Sequence, residues 1–226
     1  MKKDRSQVAR YRSHVTFVVL LILLLIGFSG CAKREVKNVN SKGTNIICFG
    51  DSLTFGYGAN PQDAFPLVLL ELTTLPVINA GIDGDTTTEA LQRLDSDVIE
   101  RNPLLVIIEF GGNDFLRKIP IETSVANVSQ MIDRVHEKGA MVAFVDISAG
   151  LFLADYHNAF ERLAQEKGVI FISSILSGII TNPSMKSDFL HPNKDGYRMI
   201  AQRIYRDIKP FLKENQLLIQ SKNPAS

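Results

Sequence analysis

Runs of apolar residues that have the length of β-strands alternate along this chain with segments that have helical periodicity. The apolar runs are nearly continuous in Ile, Val and Phe, which is typical of parallel strands buried on both faces of a sheet. They lie at 45–49, 77–79, 104–110, 141–147 and 169–172. The pattern therefore predicts a parallel sheet of five strands.

The segments between these runs place apolar residues every three or four positions, as amphipathic helices do. One such stripe runs from Ala90 to Ile99 and stops before Pro103, because the residue that precedes a proline disfavours helix. Thr86 and Glu89 have the spacing of a capping box at its start. Further stripes lie at 125–135, 156–164 and 197–208. Strands that alternate with helices predict an α/β fold, a three-layer α/β/α sandwich around the sheet.

The first thirty residues have the features of a secretory signal. A basic start is followed by the apolar run 15–28 and by the small residues Ser29 and Gly30, directly before Cys31. This succession resembles a bacterial lipobox, whose cysteine is acylated and becomes the new N-terminus, although Phe28 stands where Leu is more usual. An uncleaved membrane helix is the alternative, since 13–32 contains no charged side chain and about 20 such residues span a bilayer. Both interpretations place the folded part outside the cytoplasm, because the positive residues stay inside.

Removal of residues 1–30 leaves 20 basic and 23 acidic residues, a net charge of −3. This balance argues against nucleic acid as a partner, since no basic patch remains. Membrane association is expected instead from lipid chains on Cys31, at about 0.8 kcal/mol per buried methylene. The only other cysteine, Cys48, lies in the first predicted strand and is expected to be a small core hydrophobe.

The remaining length suits one domain, and we expect a monomer. Residues 31–44, rich in Lys, Asn and Ser, predict a flexible tether. The domain itself is expected at 45–214, followed by a C-terminal tail at 215–226.

Candidate chemistry begins at Ser52, on the turn that leaves the first predicted strand in the sequence Gly-Asp-Ser-Leu. Such a turn lifts a hydroxyl to the edge of the sheet, where a nucleophile is needed. A helix cap would use the same residue types. Three further blocks follow in order and contain Gly81, Asn113, and the pair Asp188 and His191. All follow predicted strands, and the carboxyl ends of parallel strands meet at one edge, so these residues are expected to lie together.

His191 is the candidate general base. The other three histidines lie in the signal segment or in predicted helices, at His14, His136 and His157. Asp188, three positions before His191, is close enough to accept a hydrogen bond from one ring nitrogen while the other faces Ser52.

These blocks, in this order, resemble the GDSL, or SGNH, family of serine hydrolases. The resemblance extends over about 45–212 and is greatest to the branch of bacterial multifunctional thioesterase/lysophospholipases and arylesterases. It implies a flavodoxin-like strand order of 2-1-3-4-5 and a catalytic triad of Ser52, Asp188 and His191. It also implies an oxyanion hole formed by the N–H of Ser52, the N–H of Gly81 and the side-chain amide of Asn113.

Other acidic residues near these blocks are expected to be structural. Asp51 and Asp114 are interpreted as scaffold residues that hold the turns beside the site. Asp195 is the alternative to Asp188 as the triad acid, but the resemblance places it in the final helix.

Rival sites are not supported by the sequence. The spacing of glycines from Gly50 to Gly56 is like that of a phosphate-binding loop, but Tyr57 stands where a lysine is required. No pair of histidines and no ordered acidic loop indicates a metal. We therefore expect neither a metal nor any other cofactor.

Apolar residues in the loops beside the site are candidates for substrate binding. They are Phe115, Leu116, Ile119, Leu151 and Phe152. An apolar lining suits an acyl chain, although such residues equally serve to attach loops to the core.

The sequence thus predicts an extracytoplasmic, lipid-anchored serine esterase or thioesterase. Two alternatives remain open, a carbohydrate O-deacetylase that acts on envelope glycans and a catalytically idle lipoprotein that binds an acyl ligand or a polymer.

Overall fold

The computed structural model of the protein describes residues 35–148 and 153–222. Within these residues one parallel sheet has the strand order 2-1-3-4-5. Its strands are β1 (Asn45–Gly50), β2 (Val77–Gly81), β3 (Pro103–Glu109), β4 (Met141–Val145) and β5 (Ile170–Ile172). The predicted strands and their order are confirmed.

Seven α-helices accompany the sheet in the described part of the chain. They are α1 (Ser52–Phe55), α2 (Phe65–Thr73), α3 (Thr87–Asp97), α4 (Gly112–Leu116), α5 (Ile121–Glu137), α6 (Ala154–Lys167) and α7 (Lys194–Lys222). Helix α2 packs against α7, and α5 packs against both α3 and α6. These two groups form the outer layers, which confirms the three-layer α/β/α sandwich.

The helix boundaries follow local sequence signals. Helix α3 begins with the predicted capping box, in which Glu89 accepts from the N–H of Thr86 at 2.9 Å and Thr86 accepts from the N–H of Glu89. Helix α6 ends at Gly168, whose φ of 68° is a left-handed conformation that glycine adopts without strain. Helix α2 was not predicted, because it is apolar on several faces and lacks a clear stripe.

The core lies on both faces of the central strands. Every residue of β3 and β4 is buried, as expected for strands covered by helices on each side. Cys48 in β1 is completely buried, and burial raises the pKa of its thiol well above the usual range. It is therefore a core residue and not a thiolate nucleophile.

The predicted flexible tether is wrong for residues 36–44, which pack on the domain. Val36 is buried, and the side-chain amide of Asn38 donates to the carbonyls of His136 and Ala140, both at 3.0 Å. These hydrogen bonds fix a polar segment on the domain, whereas its composition alone predicts a flexible segment. Cys31 and the other residues before Glu35 lie outside the described residues.

The predicted C-terminal tail is also partly wrong, because α7 continues through Asn215 to Lys222. The buried amide of Asn215 donates to the carbonyl oxygens of Val39 and Ser41, at 2.7 and 2.9 Å. These two hydrogen bonds therefore attach the segment 36–44 to the last helix. None of the described helices is both long enough and apolar enough to cross a bilayer.

Candidate active site

Ser52 lies where β1 turns into the short helix α1. The carboxylate of Asp51 caps that helix by accepting from the N–H of Leu53 at 3.1 Å. Helix α1 ends at Gly56, whose φ of 93° lets the chain turn away after a single turn. Ser52 is thus the first residue of a helix, with its hydroxyl at the carboxyl edge of the sheet.

His191 faces Ser52 from the long loop after β5. Its Nε2 lies 3.1 Å from Oγ of Ser52, and its Nδ1 lies 2.8 Å from Oδ2 of Asp188. The second carboxylate oxygen of Asp188 accepts from the N–H groups of Leu190 and His191, at 2.7 and 2.8 Å. The three predicted residues therefore form one chain of hydrogen bonds.

Asp188 is stabilised as a carboxylate. Partial burial alone would raise its pKa, but hydrogen bonds from the N–H and ring of His191 and from the N–H of Leu190 outweigh burial and hold the pKa below its usual value. Asp195, the alternative acid, lies exposed in the first turn of α7. The structure thus pairs His191 with Asp188.

The imidazole of His191 is also held by an aromatic ring. The ring of Tyr57 lies 4.5 Å from it, centroid to centroid. The backbone carbonyl of Tyr57 accepts a hydrogen bond from the hydroxyl of Tyr197 at 2.8 Å, which attaches this loop to α7. Tyr57, noted in the sequence only as a residue that breaks a phosphate-loop motif, therefore helps to orient the candidate base.

Asn113 enters the site from the start of α4. Its Nδ2 donates to Oδ2 of Asp51 at 3.1 Å and to the carbonyl of Asp85 at 3.0 Å. Both of its amide hydrogens already have acceptors, so a substrate oxygen would have to share one of them. Its side chain borders the same cleft as Ser52 and His191.

Gly81 is wrongly assigned as an oxyanion donor. Its N–H donates to Oδ1 of Asn79 at 2.9 Å, so it is not available to a substrate. A Cβ at Gly81 would collide with the backbone of Thr54 and Phe55, so the glycine allows β2 to pack closely against α1.

The next glycine in the chain, Gly84, is the better candidate. Its N–H has no hydrogen-bond partner among the residues that the structure describes. Its φ is 79°, and its carbonyl accepts from Arg117 at 2.6 Å. Asp83, directly before it, lines the cleft. The sequence contained the signal, a second glycine in the same loop, but did not distinguish the two.

An apolar cleft opens beside Ser52. Phe115 and Leu116 line it as predicted, whereas Ile119 does not and instead accepts from the hydroxyl of Tyr156 through its carbonyl. Leu151 and Phe152 lie outside the described residues. The sequence missed several of the apolar lining residues, namely Leu53, Ile147, Leu153, Leu176, Ile180 and Leu190.

Two buried acidic residues, Asp51 and Asp114, stabilise the turns that carry the site. Asp114 is completely buried and accepts from the hydroxyl of Ser124 at 2.7 Å and from the N–H of Thr87 at 3.0 Å, which joins α4 to α5 and α3. Asp51 is also enclosed, and burial raises its pKa to about 6. Both residues hold the turns beside the site, as expected.

A second group of Ser, His and Asp side chains lies after β4. Nδ1 of His157 is 2.8 Å from Oδ2 of Asp146 and 3.4 Å from the hydroxyl of Ser148. The serine and the aspartate contact the same ring nitrogen, and the hydroxyl of Ser148 donates to Asp146. In this group the aspartate therefore occupies the ring nitrogen that faces the serine. In the pair Ser52 and His191, by contrast, Nε2 faces the serine and Asp188 contacts the other nitrogen.

The family model of GDSL-like lipases and acylhydrolases matches residues 48–199, well over half of the chain. The chain belongs to the GDSL-like lipase/acylhydrolase family. The match includes Ser52, Asn113, Asp188 and His191, which the structure brings to one edge of the sheet.

Two relatives of this acylhydrolase and one solved structure are informative. This chain is 31% identical to an arylesterase of Vibrio mimicus over 178 residues, which cover 74% of this chain and 89% of the relative. It is 27% identical to thioesterase 1/protease 1/lysophospholipase L1 of Escherichia coli strain K12 over 210 residues, which cover 89% of this chain and 95% of the relative.

The solved structure is the psychrotrophic esterase EstA from a Pseudoalteromonas species, inhibited by monoethylphosphonate. It matches with a TM-score of 0.68 and 26% identity, over 75% of this chain and 99% of that one. Together these findings identify an ester hydrolase of the GDSL family.

Proposed function

We propose that this GDSL-family protein is an extracytoplasmic serine esterase or thioesterase that cleaves acyl esters through an acyl-enzyme intermediate. The observation that carries the proposal is the continuous chain of hydrogen bonds from Asp188 through His191 to Ser52, at the mouth of an apolar cleft.

The reaction follows from this geometry. Oγ of Ser52 attacks the acyl carbonyl carbon while Nε2 of neutral His191 accepts its proton. Asp188 fixes the tautomer of His191 and stabilises the imidazolium that forms. The imidazolium then protonates the leaving alcohol or thiol, and a water molecule, activated by the same nitrogen, releases the acid from Ser52.

The negative charge on the carbonyl oxygen needs hydrogen-bond donors. We assign this role to the N–H of Ser52, the N–H of Gly84 and the side-chain amide of Asn113. Gly84 replaces the initially expected Gly81 because, of these two glycines, Gly84 is the one whose N–H has no partner in the described part of the chain. Each such donor typically contributes about 2.7–4 kcal/mol to transition-state stabilisation.

The distribution of exposed apolar residues supports an acyl substrate. Seven of the nine large apolar side chains that are exposed among the described residues lie in the loops and short helices at the carboxyl edge of the sheet. They are Phe55, Tyr57, Ile82, Phe115, Leu116, Phe189 and Leu190. Concentrated exposure of this kind marks a binding surface, whereas scattered single residues need no explanation.

Covalent labelling and a substrate panel test the proposal. A fluorophosphonate probe should label Ser52 in the wild type and leave Ser52→Ala unlabelled. Aryl esters from acetyl to palmitoyl, acyl-CoA, lysophospholipid and acetylated sugars should then be compared. Preference for longer acyl chains supports the esterase or thioesterase, whereas activity confined to acetylated sugars would indicate the O-deacetylase. Absence of both labelling and turnover would contradict the proposal and favour an acyl- or polymer-binding lipoprotein.

We also propose that the protein is a monomeric lipoprotein held at a membrane by lipid on Cys31. The support is the succession of basic, apolar and small residues that ends at that cysteine. In this arrangement the lipid anchors the protein, and the substrate is a small acyl ester or thioester that reaches the cleft.

A further inference from the structure

Glu109 is an enclosed carboxyl group directly behind the candidate nucleophile. It is the last residue of β3 and has no exposed surface. Its Oε2 accepts from the hydroxyl of Thr54 at 2.8 Å and from the N–H of Asp51 at 3.3 Å. Its Oε1 is buried and has no partner in the part of the chain that the structure describes. An ionised carboxylate would leave this oxygen, with its share of the charge, unsolvated.

Asp51 is the neighbouring carboxyl group, and only 3% of its surface is exposed. One of its oxygens accepts from the N–H of Leu53 and the other from the amide of Asn113, at 3.1 Å in each case. Asp51 therefore connects the start of α1 with a candidate oxyanion donor. This role uses both carboxylate oxygens as acceptors, which favours the ionised form, because a proton on either oxygen would make that oxygen a donor.

No lysine or arginine side chain among the described residues contacts either carboxyl group. Arg93 reaches the same end of β1, but it is paired with Asp85 and Asp97 and donates to the carbonyl of Gly50. Two adjacent buried carboxylates without a cation would repel each other, and this repulsion favours the retention of a proton by one of them.

Local interactions decide which carboxyl group keeps that proton. Burial, together with the charge of Asp51, raises the pKa of Glu109 well above its usual value. The other titratable groups that act on the pair are His191 from the triad loop and Tyr197 from α7. Only His191 can bring a positive charge, and it acts on Asp51.

We propose that Glu109 is a positioning residue that acts as a neutral carboxylic acid, which keeps the single negative charge of the pair on Asp51. Asp51 can then hold the amide of Asn113 and the first turn of α1, which carries Ser52. If Glu109 ionised, repulsion would favour protonation of Asp51, and the amide of Asn113 would lose an acceptor. The effect of Glu109 on turnover rests on the proposed function, whereas its protonation state does not.

Substitutions at Glu109 separate the neutral role from an anionic one. A glutamine can accept from Thr54 and Asp51 as the neutral acid does, whereas a methionine of similar size cannot. Glu109→Met should lower kcat by roughly 10–100-fold at little changed KM, because the site loses its alignment. Glu109→Gln should restore kcat to within about threefold of wild type, with the same pH profile. A glutamine variant as impaired as the methionine variant would overturn the proposal.

Infrared spectroscopy provides a readout that does not depend on turnover. The difference spectrum between wild type and Glu109→Gln at neutral pH should contain the C=O band of a protonated carboxylic acid. The Ser52→Ala protein should retain this band, and so should Glu122→Gln, a control at an exposed glutamate. Absence of the band from the wild type would overturn the proposal even if the protein is an active esterase. Its presence in a protein without esterase activity would contradict only the proposed function.

Discussion

Nε2 of His191 lies 3.1 Å from Oγ of Ser52, although 139 positions separate the two residues in the chain. The distance is that of a hydrogen bond between a base and the hydroxyl it activates. The two residues are brought together because β1 and the loop after β5 both deliver their side chains to the carboxyl edge of one sheet.

Ser52 and His191 should behave as one unit. Ser52→Ala and His191→Ala should each lower kcat by roughly 10⁵–10⁶-fold, and the double variant should be scarcely worse, because neither residue acts without the other. Asp188→Ala should be milder, since Asp188 orients the base without taking the proton. Steady-state kinetics on an aryl ester measures all four variants.

The second Ser, His and Asp group supplies a matched control. Ser148→Ala and His157→Ala should leave both turnover and fluorophosphonate labelling close to wild type, since Ser148 donates to Asp146 and is not activated. Labelling of Ser148, or wild-type turnover in His191→Ala, would show that the catalytic assignment is wrong.

Asn113 should affect the chemical step more than substrate binding. Asn113→Ala should lower kcat by roughly 10²–10³-fold with little change in KM, because its amide stabilises charge that exists only in the transition state. Asn158→Ala, at an exposed position of α6, is the control. A kcat equal to that of wild type would remove Asn113 from the oxyanion hole.

The apolar cleft should determine the preferred acyl chain. Ile180→Trp fills space in the cleft and should lower kcat/KM for a dodecanoyl ester relative to a butanoyl ester by roughly tenfold or more. Leu217→Trp, at an exposed position of α7, should leave the ratio unchanged. The assay is a competition between the two esters. An unaltered ratio in the Ile180 variant would place the acyl chain elsewhere.

His136 should make the fold sensitive to acid. Burial, with Lys37 and Lys167 nearby, lowers the pKa of His136 to about 4, and neither ring nitrogen has a hydrogen-bond partner among the described residues. Because the folded-state pKa lies below the unfolded value, the stability that neutral His136 allows is present above about pH 6.5 and is lost as the pH falls towards 4.

Denaturant unfolding at several pH values tests this expectation. The wild type should lose about 1–2 kcal/mol of unfolding free energy more than His136→Phe between pH 7 and pH 4.5, after allowance for the partial exposure of the ring. Lys194→Ala, at an exposed position of α7, serves as a control for general effects of surface charge. If the free energy of unfolding changed with pH in the same way in wild type and His136→Phe, His136 would not be the source of the acid sensitivity.

Cys31 should carry the lipid. Mass spectrometry of the mature protein should find an acylated N-terminal Cys31, and Cys31→Ser should abolish the incorporation of labelled fatty acid. Cys48→Ser should leave lipid incorporation unchanged, because Cys48 is buried in β1. Recovery of intact Met1 from the membrane fraction would favour the uncleaved membrane helix.

The sequence by itself determined the layers of the fold and the edge at which the site lies. Periodicity distinguished strands from helices, and parallel strands place their carboxyl ends together, so the order of the motifs predicted that Ser52, Asn113 and His191 would meet. Elimination among the histidines left His191 because the others lay in the predicted signal segment or in predicted helices.

Tertiary structure alone decided which groups have partners. Gly81 is the last residue of β2 and Gly84 follows three positions later, and only the fold shows that the side chain of Asn79 accepts from the N–H of Gly81. Glu109 belongs to an apolar strand in the sequence, and its enclosure beside Asp51 appears only when β1 and β3 pair. Residues 36–44 are polar in composition, yet Asn38 and Asn215 attach them to the domain. Hydrogen-bond partners far apart in the chain leave no local pattern, so the sequence alone could not reveal them.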